Sequence, residues 1–284
     1  SLNAQSEIFT LTTSFLSSKR RIPSRLAGML KYEFQQVLAD DRSKCCAFCR
    51  HLKHNVRSHT EHTVNQITDA FEDLSHALRV LLEANYHAHQ GGLLKLDRAE
   101  AVGNIETALA AVLNSFHSLY DAMDKEGHGN LVDWYKTPEL ATLLVLRNAR
   151  HHNQARKIRT MYSYYTQEAK KVGRMEMYIL VDFPAQEEGA DTFDVYLSWA
   201  DLKRLFALPT QDTKIREIIA DSIRDYLATD KFKSYAADYS SEEERVFFNV
   251  VPLFVNAAIK LAPVIKDLVS PRSMESETYL TLFQ

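Results

Sequence analysis

The stretch Val64–Leu81, VNQITDAFEDLSHALRVL, decides the fold of this 284-residue chain. Val64, Ile67, Phe71, Leu74, Leu78 and Leu81 recur in steps of three and four. At about 3.6 residues per turn, that spacing places all six on one stripe of a long helix. A second stripe with the same spacing runs through Val102, Ile105, Leu109, Val112, Phe116, Leu119 and Met123. Between them lies Tyr86 to Arg98 with Gly91-Gly92 at its centre, so the two helices are expected to fold back as an antiparallel hairpin. The fold class expected is mainly α, a helical bundle built on this hairpin.

Downstream, Lys125 to Asn130 reads as a loop by its glycines. Thr137-Pro138-Glu139 marks a helix entry, with Thr as cap and Pro at the first helical position. The helix that follows presents Leu140, Leu143, Leu144 and Arg147 along one side. From Met175 the pattern changes. Met175 to Phe183 and Thr192 to Trp199 are rich in β-branched and aromatic residues, and they read as an inserted β-hairpin. Helices are expected again at about 200–207, 213–228 and 242–269, the last opened by a Ser241/Glu244 capping box. Near the start, 7–16 reads as a short helix and Pro23 opens another to about Ala39. The domain division that results is 1–174 for the hairpin and motif helix and 175–284 for the β-hairpin and C-terminal helical part, the two segments open to forming one domain.

Composition sets bounds. Hydrophobic residues make up 45% and charged residues 25%, ordinary globular usage. The net charge of -3 gives no global basic field, but Leu144 to Arg174 holds eight Lys or Arg against one acid, Glu168. Val246 to Ile265 is the most apolar run; Asn249, Pro252, Asn256, Lys260 and Pro263 interrupt it, so it reads as a buried helix and not a membrane span. The chain starts Ser1-Leu2 with no basic-then-apolar leader, which reads as either an expression-tag scar or a trimmed start. Three cysteines within Cys45 to Cys49 cannot build a disulfide framework, and the cytoplasm is the expected compartment.

The chemistry concentrates where the apolar run Leu143–Leu146 ends in Arg147-Asn148-Ala149-Arg150-His151-His152. A planar guanidinium matches two phosphate oxygens, and histidine exchanges protons near neutral pH. The stretch is a phosphate-handling set. The same residues also suit a helix C-terminus, where cations complement the macrodipole and cap carbonyls. Two other groups stand out. Cys46 and Cys49, with His59 and His62, have residue types that bind zinc, but the intervals match no zinc finger and no metal site is expected there. Tyr162, Tyr164 and Tyr165 suit either base stacking or, at helical spacing, a core.

The Arg147-Asn148-x-x-x-His152 pattern, following a long helical hairpin, resembles the Arg-x4-6-His signature of the HEPN superfamily (higher eukaryotes and prokaryotes nucleotide-binding). The resemblance covers about Val64 to Tyr165. It implies an all-helical domain in which the hairpin packs against the motif helix. It also implies a metal-independent endoribonuclease of RNA processing or of toxin-antitoxin and antiphage defence, acting as a homodimer without cofactor. Other members are non-catalytic dimerising or nucleotide-binding modules, and that alternative stays open. Carried over by residue, Arg147 takes the arginine role, Asn148 the polar second position and His152 the histidine role; His151 is one residue too early. Arg150, Arg156, Lys157 and Arg159 would hold flanking RNA phosphates. Partners implied are RNA, a second copy of the chain and an antitoxin or nucleotidyltransferase; no membrane is implied.

Overall fold

The computed structural model describes residues 8–11, 65–151, 158–168, 178–183, 193–213 and 215–283. It is mainly helical with a small β-sheet, as the sequence leads one to expect. Residues 1–16 and 65–284 form one compact unit, so the segments on either side of Met175 share it. The second unit, 17–64, lies outside the described residues, and with it the expected helix from Pro23 and the Cys46/Cys49 cluster.

The hairpin forms from α1 (Gln66–His89) and α3 (Arg98–Lys125). Each starts on a side-chain cap: Asn65 Oδ1 accepts from the Thr68 N–H at 2.8 Å and Asp97 Oδ1 from the Glu100 N–H at 3.0 Å. The chain reverses through Gly91, Gly92 and the one-turn α2 (Leu93–Leu96). Both glycines are required. A Cβ on Gly91 would lie 2.8 Å from the His87 carbonyl oxygen, and Gly92 has φ +74°, the left-handed region. The expected stripes face inward: Ile67, Phe71, Leu74 and Leu81 on α1 and Ile105, Leu109, Val112, Phe116, Leu119 and Met123 on α3 are buried. Leu78 and Val102 are half-buried.

The motif helix α4 (Pro138–His151) starts at the proline, with the Thr137 carbonyl accepting from Leu140 and Ala141. Every residue from Leu140 to Leu146 is buried, because α3, α8 (Glu217–Tyr226) and α10 (Val251–Ile265) all pack on this helix. Phe116 stacks on Phe254 with centroids 5.9 Å apart, tying α3 to α10. A segment left unassigned by sequence, α11 (Met274–Leu282), packs on α1 through an edge-to-face contact between Phe71 and Tyr279.

The sheet has the order β1-β2-β4-β3, formed by β1 (Ile8–Leu11), β2 (Tyr178–Val181), β3 (Tyr196–Ser198) and β4 (Val246–Asn249). The two strands expected after Met175 are present, but they do not pair with each other. β4 lies between them, parallel to β2 and antiparallel to β3. Two helix expectations are corrected with this. Ile8–Leu11, expected as helix, is a strand antiparallel to β2. The single helix expected over 242–269 divides into a 3-10 turn (Glu243–Arg245), β4 and α10. Val246-Phe247-Phe248 is a β-branched and aromatic run buried on both faces, for which apolar periodicity does not distinguish strand from helix. Pro252, in the first turn of α10, then restarts the helix. In the remaining stretches α6 (Trp199–Phe206) matches its expected range, while α8 starts at Glu217, later than the sequence suggests, preceded by the short α7 (Thr210–Thr213). The chain continues through α9 (Asp230–Asp238), and α5 (Met161–Glu168) lies between the motif helix and the sheet in sequence. No helix among the described residues is long and apolar enough to cross a membrane.

Candidate functional site

The carboxyl end of α4 is where a helix sealed on all sides emerges from the core. Leu146 and Ala149 are buried; Arg147 and Asn148 between them are partly exposed. The Arg147 guanidinium is oriented by two amide oxygens. Its Nε donates to Asn114 Oδ1 on α3 at 3.4 Å, and its Nη1 donates to Asn148 Oδ1 at 3.0 Å.

Arg150, one turn on, is held differently. Its side chain is only 5% exposed; Nη1 donates to the Ile158 carbonyl at 2.7 Å and Nη2 to Glu106 Oε2 on α3. The guanidinium thus joins the two residues that flank segment 151–157 to each other and to the hairpin. Glu106 is saturated in turn, because its Oε1 accepts from the hydroxyls of Thr160 and Ser163, both at 2.6 Å. Burial pushes the Glu106 carboxyl up, but the Arg150 charge and the Ser163 and Thr160 hydroxyls outweigh it and bring its pKa down to about 2.

Arg159 is the second committed cation. It donates from its backbone N–H (3.1 Å) and Nε (2.8 Å) to Asp201 Oδ2 and from Nη2 to Oδ1 (2.9 Å), a bidentate pair with a carboxylate only 1% exposed. Arg204 Nη1 shares Asp201 Oδ1 at 3.0 Å, and the Arg159 guanidinium lies 4.7 Å from the centre of the Tyr164 ring. This network ties the 158–160 segment to the first turn of α6.

The structure therefore brings Arg147, Asn148 and Arg150 to one helix end and adds Asn114 and Glu106, which no local sequence signal marks. Arg147 and Asn148 open to solvent, whereas Arg150 and Arg159 are engaged inside the fold. His152, Arg156 and Lys157 lie outside the described residues, as do 169–177. Two residues of the tyrosine cluster have described side chains. Tyr162 is buried with its hydroxyl 2.5 Å from His89 Nε2, and Tyr164 packs edge-on against Phe247 at 5.3 Å and Tyr178 at 6.3 Å. These two belong to the core.

A separate polar group gathers where β2 and β4 end. The Tyr196 hydroxyl donates to Asp182 at 3.0 Å, and the fully buried Asn249 amide donates to Asp182 at 2.9 Å and Asp194 at 3.2 Å. Asn249 Oδ1 also accepts the N–H groups of Val195 and Val251, so this group secures the strand ends. Among the described residues no group of three or more His, Cys, Asp or Glu is arranged to hold a metal ion. Comparison with known proteins finds no family model that matches the chain, no matching curated protein and no matching solved structure.

Proposed function

We propose that the chain is a HEPN-like, metal-independent endoribonuclease acting as a homodimer in the cytoplasm, in RNA processing or in toxin-antitoxin or antiphage defence. The observation that carries this reading is Arg147: of the three described arginines of the motif stretch it alone has no carboxylate partner among the described residues, and it stands where the buried helix reaches solvent. A cation left uncompensated and oriented by neutral amides suits an anionic ligand. The long hairpin packed on the motif helix supports the same reading.

In the reaction proposed, His152 takes the proton from a ribose 2′-hydroxyl as its oxygen attacks phosphorus. The bond from phosphorus to the 5′-oxygen breaks, and a protonated histidine, from this copy or the second across the two-fold axis, returns a proton to the leaving oxygen. Arg147 balances the charge gathering on the non-bridging oxygens. The product carries a 2′,3′-cyclic phosphate. Flanking phosphates fall to Arg156 and Lys157, with Arg150 and Arg159 contributing what their internal pairs leave. The engagement of these two arginines within the fold favours the second reading, a non-catalytic dimerisation or nucleic-acid-binding module.

The test is cleavage of a mixed cellular RNA in excess EDTA by the wild type and Arg147→Ala, alongside sedimentation. A dimer that cuts RNA and loses at least about 100-fold of its rate in Arg147→Ala is expected, in line with typical losses on removing one charge-stabilising donor. Equal cleavage by both proteins sinks the assignment. A wild type that binds RNA without cutting it points to the binding module.

A further inference from the structure

We propose that Asn114, Asn148 and Arg147 form one phosphate-binding cradle, in which Asn114, on α3 and outside the motif, is a ligand-contacting member. The inference rests on the reading of the α4 terminus given above and adds a residue to it. A guanidinium only donates hydrogen bonds, so the two amides beside it must both turn their oxygens towards it. That fixes the opposite end of each amide. Asn114 Oδ1 is occupied by Arg147 Nε and Asn148 Oδ1 by Arg147 Nη1, which leaves both Nδ2 groups without an acceptor among the described residues. Arg147 Nη2 has no acceptor among the described residues either. Three sets of N–H donors therefore cluster around a single positive charge, and Asn114 lies exposed on the hairpin surface.

The contrast with the neighbouring cations strengthens this. Arg150 and Arg159 each meet a buried carboxylate that neutralises them. At Arg147 the position a carboxylate would occupy is taken by amides, which orient the guanidinium and keep its charge. Donors without acceptors and charge without a counter-charge are the complement of a tetrahedral oxyanion with several lone pairs to fill. The ligand class is a phosphate group, and in the proposed reaction it is the scissile phosphodiester, whose non-bridging oxygens would take the Asn114 and Asn148 N–H groups together with Arg147.

Asn114→Asp is nearly isosteric and puts a carboxylate against Arg147, so it tests the charge of the cradle, whereas Asn114→Ala removes the amide donor and leaves that charge. If Asn114 did not contact the ligand, Asn114→Ala would leave phosphate affinity unchanged while Asn114→Asp still weakened it by neutralising Arg147. The probe is inorganic phosphate, followed through the side-chain NH2 resonances of Asn148 and Asn114 in the full-length protein, with circular dichroism to confirm folding. Saturable shifts are expected in the wild type, with phosphate affinity reduced about threefold in Asn114→Ala and at least tenfold in Asn114→Asp. Affinity in Asn114→Ala equal to wild type overturns the inference, as does affinity in Asn114→Asp within twofold of wild type or a wild type whose Asn148 and Asn114 resonances ignore phosphate. A protein that binds phosphate in this Asn114-dependent way but cuts no RNA upholds the cradle and removes the nuclease reading.

Discussion

Replacing Glu106 by Gln removes one charge from a buried pair while keeping the volume of the side chain. Its carboxylate is 15% exposed and its partner Arg150 is 5% exposed, so water compensates little for the loss. The fall of the carboxyl pKa from 4.5 to about 2 corresponds to about 3 kcal/mol of folding stability, at about 1.4 kcal/mol per pH unit. Loss of one member of a buried pair typically costs about 3–5 kcal/mol, which agrees in size. The sign follows from the direction. Because the folded carboxyl titrates below the unfolded one, this stability is fully present above about pH 4.5 and drains away as pH falls towards 2. Guanidinium melts of wild type and Glu106→Gln should therefore differ by about 3 kcal/mol at pH 7 and by less than half of that at pH 3. Adding Arg150→Met to Glu106→Gln should recover part of the loss, since no uncompensated charge then remains buried. A Glu106→Gln protein within about 0.5 kcal/mol of wild type at pH 7, or a deficit constant from pH 7 to pH 3, would show that the buried Glu106–Arg150 pair does not stabilise the fold in this way.

Two further perturbations probe the surroundings of the site. Asp201→Asn leaves Arg159 without its buried carboxylate and should cost about 3–5 kcal/mol in thermal or denaturant melts; an unchanged midpoint would show that the pair contributes nothing. Burial holds the pKa of His89 below its ordinary 6.5, beside the Tyr162 hydroxyl, so the folded protein resists the proton that the unfolded chain accepts. Stability from this group is present above pH 6.5 and falls as the pH drops below it, and His89→Gln should flatten the slope of stability against pH below 6.5. A slope identical in the two proteins would contradict this.

Much of the scaffold is written locally in the chain. Ile67, Phe71 and Leu74 on α1 and Ile105 to Met123 on α3 announce their helices by periodicity, and Gly91-Gly92 announces the reversal, because each depends on neighbours within a turn or two. Pro138 does the same for the motif helix. The sheet was less legible. Tyr178–Val181 and Tyr196–Ser198 show strand composition, but their pairing depends on Val246–Asn249, a partner far along the chain that sits in an apolar run continuous with α10. Strand pairing is non-local, and a buried run carries no period to reveal it. At the site, Arg147 and Asn148 stand out in the sequence. Asn114 and Glu106 do not, since they are ordinary polar residues on the flank of a helix and gain their roles only when α3 packs against α4. Arg150 and Arg159 illustrate the converse: in sequence they are members of a basic run, and in the fold they are committed to Glu106 and Asp201.

The proposal that the end of α4 performs metal-independent phosphodiester cleavage meets its most direct test in the products. RNA incubated with the wild type in excess EDTA should give fragments ending in 2′,3′-cyclic phosphate. His152→Ala should abolish them, a loss within the roughly 10²- to 10⁴-fold range of a general acid-base group, while His151→Ala retains activity. Equal cleavage by wild type and His152→Ala, or products without cyclic phosphate ends, would contradict the claim.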